Sequence, residues 1–237
     1  MALLVPARRR GFEHLDDPQV SDEVRLASMR DVITSNTVFG GARAVMVEIE
    51  RALPLPGSSA TMLDIGTGLG DIPERAARLA RSRGVALRVI GLDGSEPLLR
   101  AGRSRMTDSV RGDALQLPFA SGSVDIVTCS QVLHHFEQPE LGQLLSEMHR
   151  VARVRAIVSD LRRSWIAVAG FWPATFLLAF HPVTRHDGMT SILRGFTPGE
   201  LGTMVQEATG AMPRVQQRLG WRVTASWSPT RKHEEQR

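Results

Sequence analysis

The densest chemical signal in this chain is Leu63-Asp64-Ile65-Gly66-Thr67-Gly68-Leu69-Gly70-Asp71, in which alternating glycines stand between acids. Glycine lets a backbone approach a ligand closely, and a helix that starts just beyond it offers free N–H groups. A dinucleotide-binding turn reads G-x-G-x-x-G and needs its third glycine at position 71, where this chain has an aspartate. A carboxylate there repels a pyrophosphate. Asp71, with Pro73 in the first turn and Glu74 three residues on, instead makes a sound helix start. The loop therefore suits a ligand that can sit beside carboxylates, such as one carrying an ammonium or a sulfonium.

Two further acids extend this pattern. Asp93-Gly94-Ser95 follows the next apolar run, at about the distance past the glycines where an acid binds ribose in nucleotide folds. Gly112-Asp113-Ala114 closes the run after that, and an acid there is placed to accept from an adenine amino group. Each aspartate alone reads equally well as a helix cap or loop acid. Their order along the chain is what points to S-adenosylmethionine, which has both a sulfonium and an ammonium. Side chains able to take a proton are His134, His135, His186 and Asp160. Cys129 follows Thr128 in an apolar run and reads as a small buried thiol, and Asp125 as a structural acid opening a strand.

These residues need elements to hold them. Strands are expected at 61–65, 87–92, around Ser109 and Val110, at 124–129 and at 154–159, with helices at 72–83, 96–105 and around Leu141, Leu144, Leu145 and Met148. Short apolar strands separated by helices imply parallel pairing through right-handed crossovers. The fold class is α/β: a Rossmann-like, doubly wound, seven-stranded sheet, mostly parallel, with an antiparallel hairpin at 215–219 and 221–227 around Gly220 on its edge. Before it, 18–52 is helical, broken at Phe39-Gly40-Gly41. Thr197 and Glu200 form a capping box that starts the last helix. The tail at 230–237 reads as disordered.

In combination, the motifs above resemble those of class I S-adenosylmethionine-dependent methyltransferases, nearest the ubiquinone/menaquinone-biosynthesis type and small bacterial enzymes acting on polyketide- or quinone-like phenols. The likeness covers roughly 60–160 and is completed by Leu115-Gln116-Leu117-Pro118-Phe119, Ser123-Val124-Asp125-Ile126-Val127 and Leu133-His134-His135-Phe136. It implies that Asp64, Gly66, Thr67, Gly68, Leu69 and Gly70 hold the methionine part. Asp93 with Gly94 and Ser95 would hold the ribose, and Gly112, Asp113 and Ala114 the adenine. Ser130 and Gln131 would lie under the sulfonium, and the product would be S-adenosylhomocysteine. N-terminal helices close over the cofactor in such enzymes, which places Phe39 or Arg43 near cofactor or acceptor.

The same likeness narrows the acceptor. Ser130-Gln131-Val132-Leu133 replaces the Asn/Asp-Pro-Pro-aromatic turn of enzymes that methylate amide or nucleobase amines. Asp160-Leu161 replaces the Asp-Asn pair of magnesium-dependent catechol enzymes, so no metal is expected. What remains is oxygen, or less readily carbon, of an aromatic or lipid-like small molecule. One of His134 and His135 is expected to point inward; His135 is the favoured base and His186 the second. His134, Trp172, Arg185, Asp187 and Arg194 are expected toward the acceptor, although 194–200 also reads as structural. The island at 181–188 reads either as an anion-binding segment or as a solvated loop. The apolar stretch at 165–180 is expected as a helical lid, with core packing and insertion into a membrane interface as alternatives. A non-catalytic cofactor-binding protein and an RNA methyltransferase are the rival functions.

Composition sets the outer bounds. With 237 residues, 42% hydrophobic and 23% charged, the chain suits a single domain: a helical cap at 1–55, the cofactor core at 60–160, a lid at 161–196, and a helix and hairpin at 197–229. One cysteine excludes an internal disulfide and fits reducing cytosol. The net charge of +4 accompanies an isoelectric point near 10.7, but Lys232 is the only lysine and tyrosine is absent, so few groups titrate in between and a small excess drags the value up. Nucleic acid is therefore disfavoured as a partner. The apolar start at 1–6 is too short for a signal peptide, and 165–180 falls short of a bilayer span, which makes a cytoplasmic location the expectation.

Overall fold

The computed structural model describes residues 5–9, 11–17 and 19–229. The expected tail at 230–237 lies outside them. Seven strands form one sheet in the order β3-β2-β1-β4-β5-β7-β6. These are β1 (Ser59–Ile65), β2 (Ala86–Asp93), β3 (Asp108–Arg111), β4 (Val124–Ser130), β5 (Ala152–Leu161), β6 (Arg214–Arg218) and β7 (Arg222–Trp227). Pairing is parallel from β3 through β5; β7 runs antiparallel to both β5 and β6. The sheet is thus the Rossmann-like, mostly parallel one expected, with its antiparallel hairpin on the edge.

The helices are α1 (Asp22–Val38), α2 (Gly41–Ala52), α3 (Asp71–Ser82), α4 (Glu96–Gly102), α5 (Glu140–Val151), α6 (Trp165–Leu177), α7 (Pro182–Arg194) and α8 (Pro198–Thr209). Side chains alternate across the pleat. Met62, Val89, Ile126 and Ile157 pack beneath α2 and α3, while Leu63, Ile65, Val127, Cys129 and Val158 pack beneath α5 and α8. Burial pushes the Cys129 thiol well above its ordinary range, with Asp160 and Asp64 adding to the effect, so it behaves as a core residue. Asp125 accepts from the Thr61 N–H at 2.9 Å and from Arg153, which stitches β1 to β4 and β5.

Some expectations need correction. The stretch at 181–188 is neither loop nor free island. It forms the first two turns of α7, which His181 caps by accepting from the Val183 N–H, with Pro182 at the first position. The helix expected at 96–105 stops at Gly102 and tightens into a 3-10 turn. Thr197 and Glu200 do form the capping box of α8.

Candidate functional site

Because β1 to β4 run parallel, their carboxyl ends open on one edge, and the winding reverses between β1 and β4; ligands bind at such a switch point. A cavity of about 980 Å³ lies there. Asp64, Gly66, Thr67, Gly68 and Asp71 line it from the first strand end, and Asp93, Gly94 and Ser95 from the second. Gly112, Asp113 and Ala114 reach it from the third, and Ser130, Gln131, His134 and His135 from the fourth. Leu69 and Gly70 do not. Leu69 is buried in the protein, and Gly70 is the left-handed residue (φ 74°) from which α3 starts.

The glycine at 66 is required on two counts. Its φ is 66°, and a methyl there would lie 2.4 Å from a Val132 methyl. The loop is held by Asp93, whose Oδ2 accepts from the Gly68 N–H at 2.8 Å and whose Oδ1 accepts from the Ser95 N–H at 2.8 Å. One carboxylate thus ties the second strand end to the first. Asp64 lies buried beneath the loop; its carboxyl is pushed up from 3.8 to about 7 by burial, against the pull of a 2.7 Å hydrogen bond from Thr128 Oγ1. Burial also lifts Asp71 and Asp93. Asp71 Oδ2 and Ser130 Oγ are buried with no hydrogen-bond partner among the described residues. Three crowded carboxyls and orphaned polar atoms make a wall that gains from a cation.

One of the two histidines was expected to point inward and the other outward, but both line the cavity and differ instead in burial. His134 is buried, its Nδ1 2.7 Å from Asp160 Oδ1, while the Asp160 Oδ2 accepts from the His134 backbone N–H at 3.2 Å. Burial alone would raise Asp160, but the charge and hydrogen bond of His134 hold it below the usual carboxylate range. His135 is 31% exposed, its Nδ1 3.7 Å from Glu13 Oε2, and Glu13 is pinned by Arg194 at 2.9 Å. Glu13, His134 and His135 bring one ligand atom each within 4.8 Å of one another, as do His14, His186 and Asp187. In both groups protein partners already take up coordinating atoms: Asp160 at His134, Arg194 at Glu13 and backbone N–H groups at Asp187.

Several expected acceptor residues lie elsewhere. His186 does not line the cavity; its exposed ring meets Asp187 Oδ1 at 3.0 Å and the edge of His14. Asp187 does line it, but both its oxygens accept backbone N–H groups, from His14 at 2.9 Å and Leu15 at 3.0 Å, and so fasten the N-terminal segment. Arg185 turns away, donating to the Phe180 carbonyl and lying over the Phe176 ring. Arg194 serves Glu13 rather than the cavity. Trp172 is 47% exposed on the outer side of α6, whose inner side presents Ala167, Gly170 and Phe171 to the cavity. Phe39 lines the cavity, whereas Arg43 is exposed away from it.

Sequence reasoning missed Arg25, Asn36, Glu13 and Arg222, all of which line the cavity. For α1 a signal was present: Arg25, Met29, Val32 and Asn36 recur at helical spacing, so one mixed polar and apolar stripe faces the site. Arg222 stands in a strand whose other residues are uncharged. Glu13 and its neighbours arrive from a distant part of the chain, which no local pattern announces.

Residues 63–159 match the model of a methyltransferase domain. A demethylmenaquinone methyltransferase of Roseiflexus sp. (strain RS-1) is 38% identical over 130 residues, which is 51% of this chain and 52% of that protein. A ubiquinone/menaquinone biosynthesis C-methyltransferase of Ralstonia pickettii is 29% identical over 170 residues, covering 65% of this chain and 67% of that protein. The chain spans about half the length of the first of these relatives. Among solved structures, the plantazolicin methyltransferase BpumL in complex with SAH superposes with a TM-score of 0.69 at 14% identity, covering 90% of this chain and 92% of that one. An acidic cradle at the switch point, this sheet order and the domain match coincide in one stretch of sequence, and residues 63–159 carry a methyltransferase domain.

Proposed function

We propose that the chain transfers the methyl group of S-adenosylmethionine to oxygen of an aromatic, quinone-like or polyketide-derived small molecule, without a metal. One observation carries this reading: acids from three successive strand ends share a single cavity, and burial raises two of them, Asp64 and Asp93, along with Asp71 beside them. In it the glycine loop with Asp64 takes the methionine part, Asp93 the ribose, and Asp113 with Ala114 the adenine. When bound, the cofactor supplies a methyl carbon already activated by positive sulfur, so the protein chiefly aligns, excludes water and receives a proton. Ser130 and Gln131 border the reacting region, and His135 takes the acceptor's proton. Carbon is the second reading, favoured by the C-methyltransferase relative. Release of S-adenosylhomocysteine with a panel of phenols and quinols tests the activity, and the NMR shift of the new methyl separates oxygen from carbon. A chain that binds the cofactor but turns over nothing would be a binding protein instead.

Asp64 gives this reading a pH signature. Its folded carboxyl titrates about 7, against about 3.8 when unfolded, so between these values the unfolded chain binds fewer protons. Stability from this group is fully present below about pH 4 and is lost as pH rises through 7, by roughly 4 kcal/mol at the upper bound. Asp64→Asn should therefore gain Tm on the wild type between pH 5 and pH 8 in the cofactor-free state. Parallel Tm profiles for the two proteins would contradict the burial argument. A bound cation repays the same penalty, so wild-type cofactor affinity should rise across this window.

The outer side of α6 extends the acceptor argument. Trp165, Ile166, Trp172, Phe176 and Leu177 form an exposed stripe, with Leu177 88% exposed. Arg9 lies over Trp165 and Arg185 over Phe176, so a cation sits near each end. Among the described residues no helix is long and apolar enough to cross a membrane. A helix with one side on the cavity and an apolar stripe on the other suits contact with a lipid surface that holds a lipophilic acceptor. Trp172→Glu should reduce sedimentation with phosphatidylglycerol vesicles by roughly tenfold. Equal sedimentation of both proteins would leave α6 as a lid alone.

A further inference from the structure

Arg222 opens β7, where it pairs with Leu161 of β5 and Arg218 of β6, and its side chain lines the cavity while only 5% exposed. Its Nη1 donates to the Gly220 carbonyl at 3.0 Å, and its Nε has no hydrogen-bond partner among the described residues. No carboxylate among the described residues forms an ion pair with it. The same hairpin shows what an ordinary solution looks like: Arg218 pairs with buried Glu48, and Arg214 lies 3.8 Å from the same acid. Asp160, whose charge acts on Arg222, is already committed to His134 and to the Leu161 N–H. Burial lowers the guanidinium to about 10, with Asp160 pulling the other way, so the side chain is still a cation at neutral pH. A buried, unpaired cation is costly to keep unless something else pairs with it.

The side chains that converge with its Nε are neutral amides. A methyl placed on Gly41 would lie 2.7 Å from Asn36 Oδ1, 2.9 Å from Gln131 Nε2 and 3.1 Å from Arg222 Nε, so these three groups converge under the first turn of α2. Gln131 Nε2 donates to Asn36 Oδ1, which fixes both amides. All three residues line the cavity. Their place in the sheet separates them from the cofactor's acids. Asp93 and Asp113 follow β2 and β3 on one side of β1, whereas Arg222 sits on β7, beyond β4 and β5 on the other. The acidic end suits a cation and this end an anion.

We infer that Arg222, flanked by the Asn36 and Gln131 amides, is an anion subsite for the methyl acceptor, and that the acceptor is an aromatic compound presenting an anionic oxygen to this wall. The inference rests on the methyltransferase reading and names the substrate class within it. Charge-assisted contact with a guanidinium discriminates strongly against an uncharged isostere, because the buried cation is then left unpaired.

The test uses the full chain saturated with S-adenosylhomocysteine, with 3-hydroxy-2-naphthoate and its uncharged amide, 3-hydroxy-2-naphthamide, as probes. Fluorescence titration of the wild type should show the naphthoate binding roughly tenfold or more tighter than the amide. Arg222→Gln should abolish that preference, Arg222→Lys should retain part of it, and S-adenosylhomocysteine affinity should hold in both. A wild type that binds neither probe, or both equally, overturns the inference without recourse to any variant. A glutamine variant that loses S-adenosylhomocysteine affinity but keeps the naphthoate preference also overturns it, by assigning Arg222 to the cofactor's own carboxylate. If the wild type fails to bind S-adenosylhomocysteine at all, the methyltransferase reading itself fails, and that outcome is separate from the others.

Discussion

His135→Ala should lower the rate of methyl transfer by roughly 10²–10⁴-fold, the usual contribution of a positioned base, while leaving S-adenosylhomocysteine affinity near that of the wild type. The physical basis is exposure. Of the adjacent histidines, His134 is sealed against Asp160 and His135 opens on the cavity beside Glu13. Glu13 is held by Arg194, so its carboxylate is fixed and favours positive charge on the His135 ring as it gains a proton. Glu13→Gln should consequently show a smaller loss of the same kind. Initial rates of S-adenosylhomocysteine release on a quinol panel, alongside calorimetric titration of the product, separate chemistry from binding. A His135→Ala protein turning over at the wild-type rate would remove this residue from the reaction.

Asp93→Ala should weaken S-adenosylhomocysteine binding by roughly 10–100-fold, since a half-buried carboxylate that a bound nucleoside would cover, accepting from hydroxyls, contributes about 1.5–3 kcal/mol. The structure adds a second loss. The same oxygens accept from the Gly68 and Ser95 N–H groups, so the variant also releases the glycine loop from the second strand. Asp93→Asn keeps one acceptor oxygen and should fall between. Calorimetry gives the affinities, and the melting temperature of the cofactor-free protein reports the tether, which should cost about 1–2 kcal/mol. An alanine variant with undiminished affinity would refute the ribose role, whatever happened to its stability.

The scaffold was legible because its signals are local. Apolar runs of strand length, such as Val124 to Cys129, alternate with helical stripes such as Leu141, Leu144, Leu145 and Met148, and burial turns each pattern into one element. The glycine loop, Asp93 and Asp113 were legible for the same reason, since parallel strands deliver their ends to one edge. Boundaries were looser: β5 runs to Leu161, and its expected span ended two residues earlier. The acceptor side was read less well. Trp172, Arg185, His186 and Arg194 all have suitable chemistry, yet the rotation of α6 and α7 points three of them outward and commits Arg194 to Glu13. That rotation follows from long-range bonds, such as Asp31 of α1 accepting from the His181 N–H and Thr184 Oγ1, which no spacing within 181–194 encodes.

Order along the chain by itself determined the sheet, its helices and the acidic edge where a cationic nucleoside would sit, because strand periodicity and βα turns involve near neighbours. Only the tertiary structure decided which charges go unanswered. Arg218 and Arg222 stand four residues apart on one hairpin with the same chemistry, but Glu48 reaches the first and, among the described residues, no acid forms an ion pair with the second. Whether a buried charge is paired depends on groups that are distant in the chain and close in space, and folding alone brings them together.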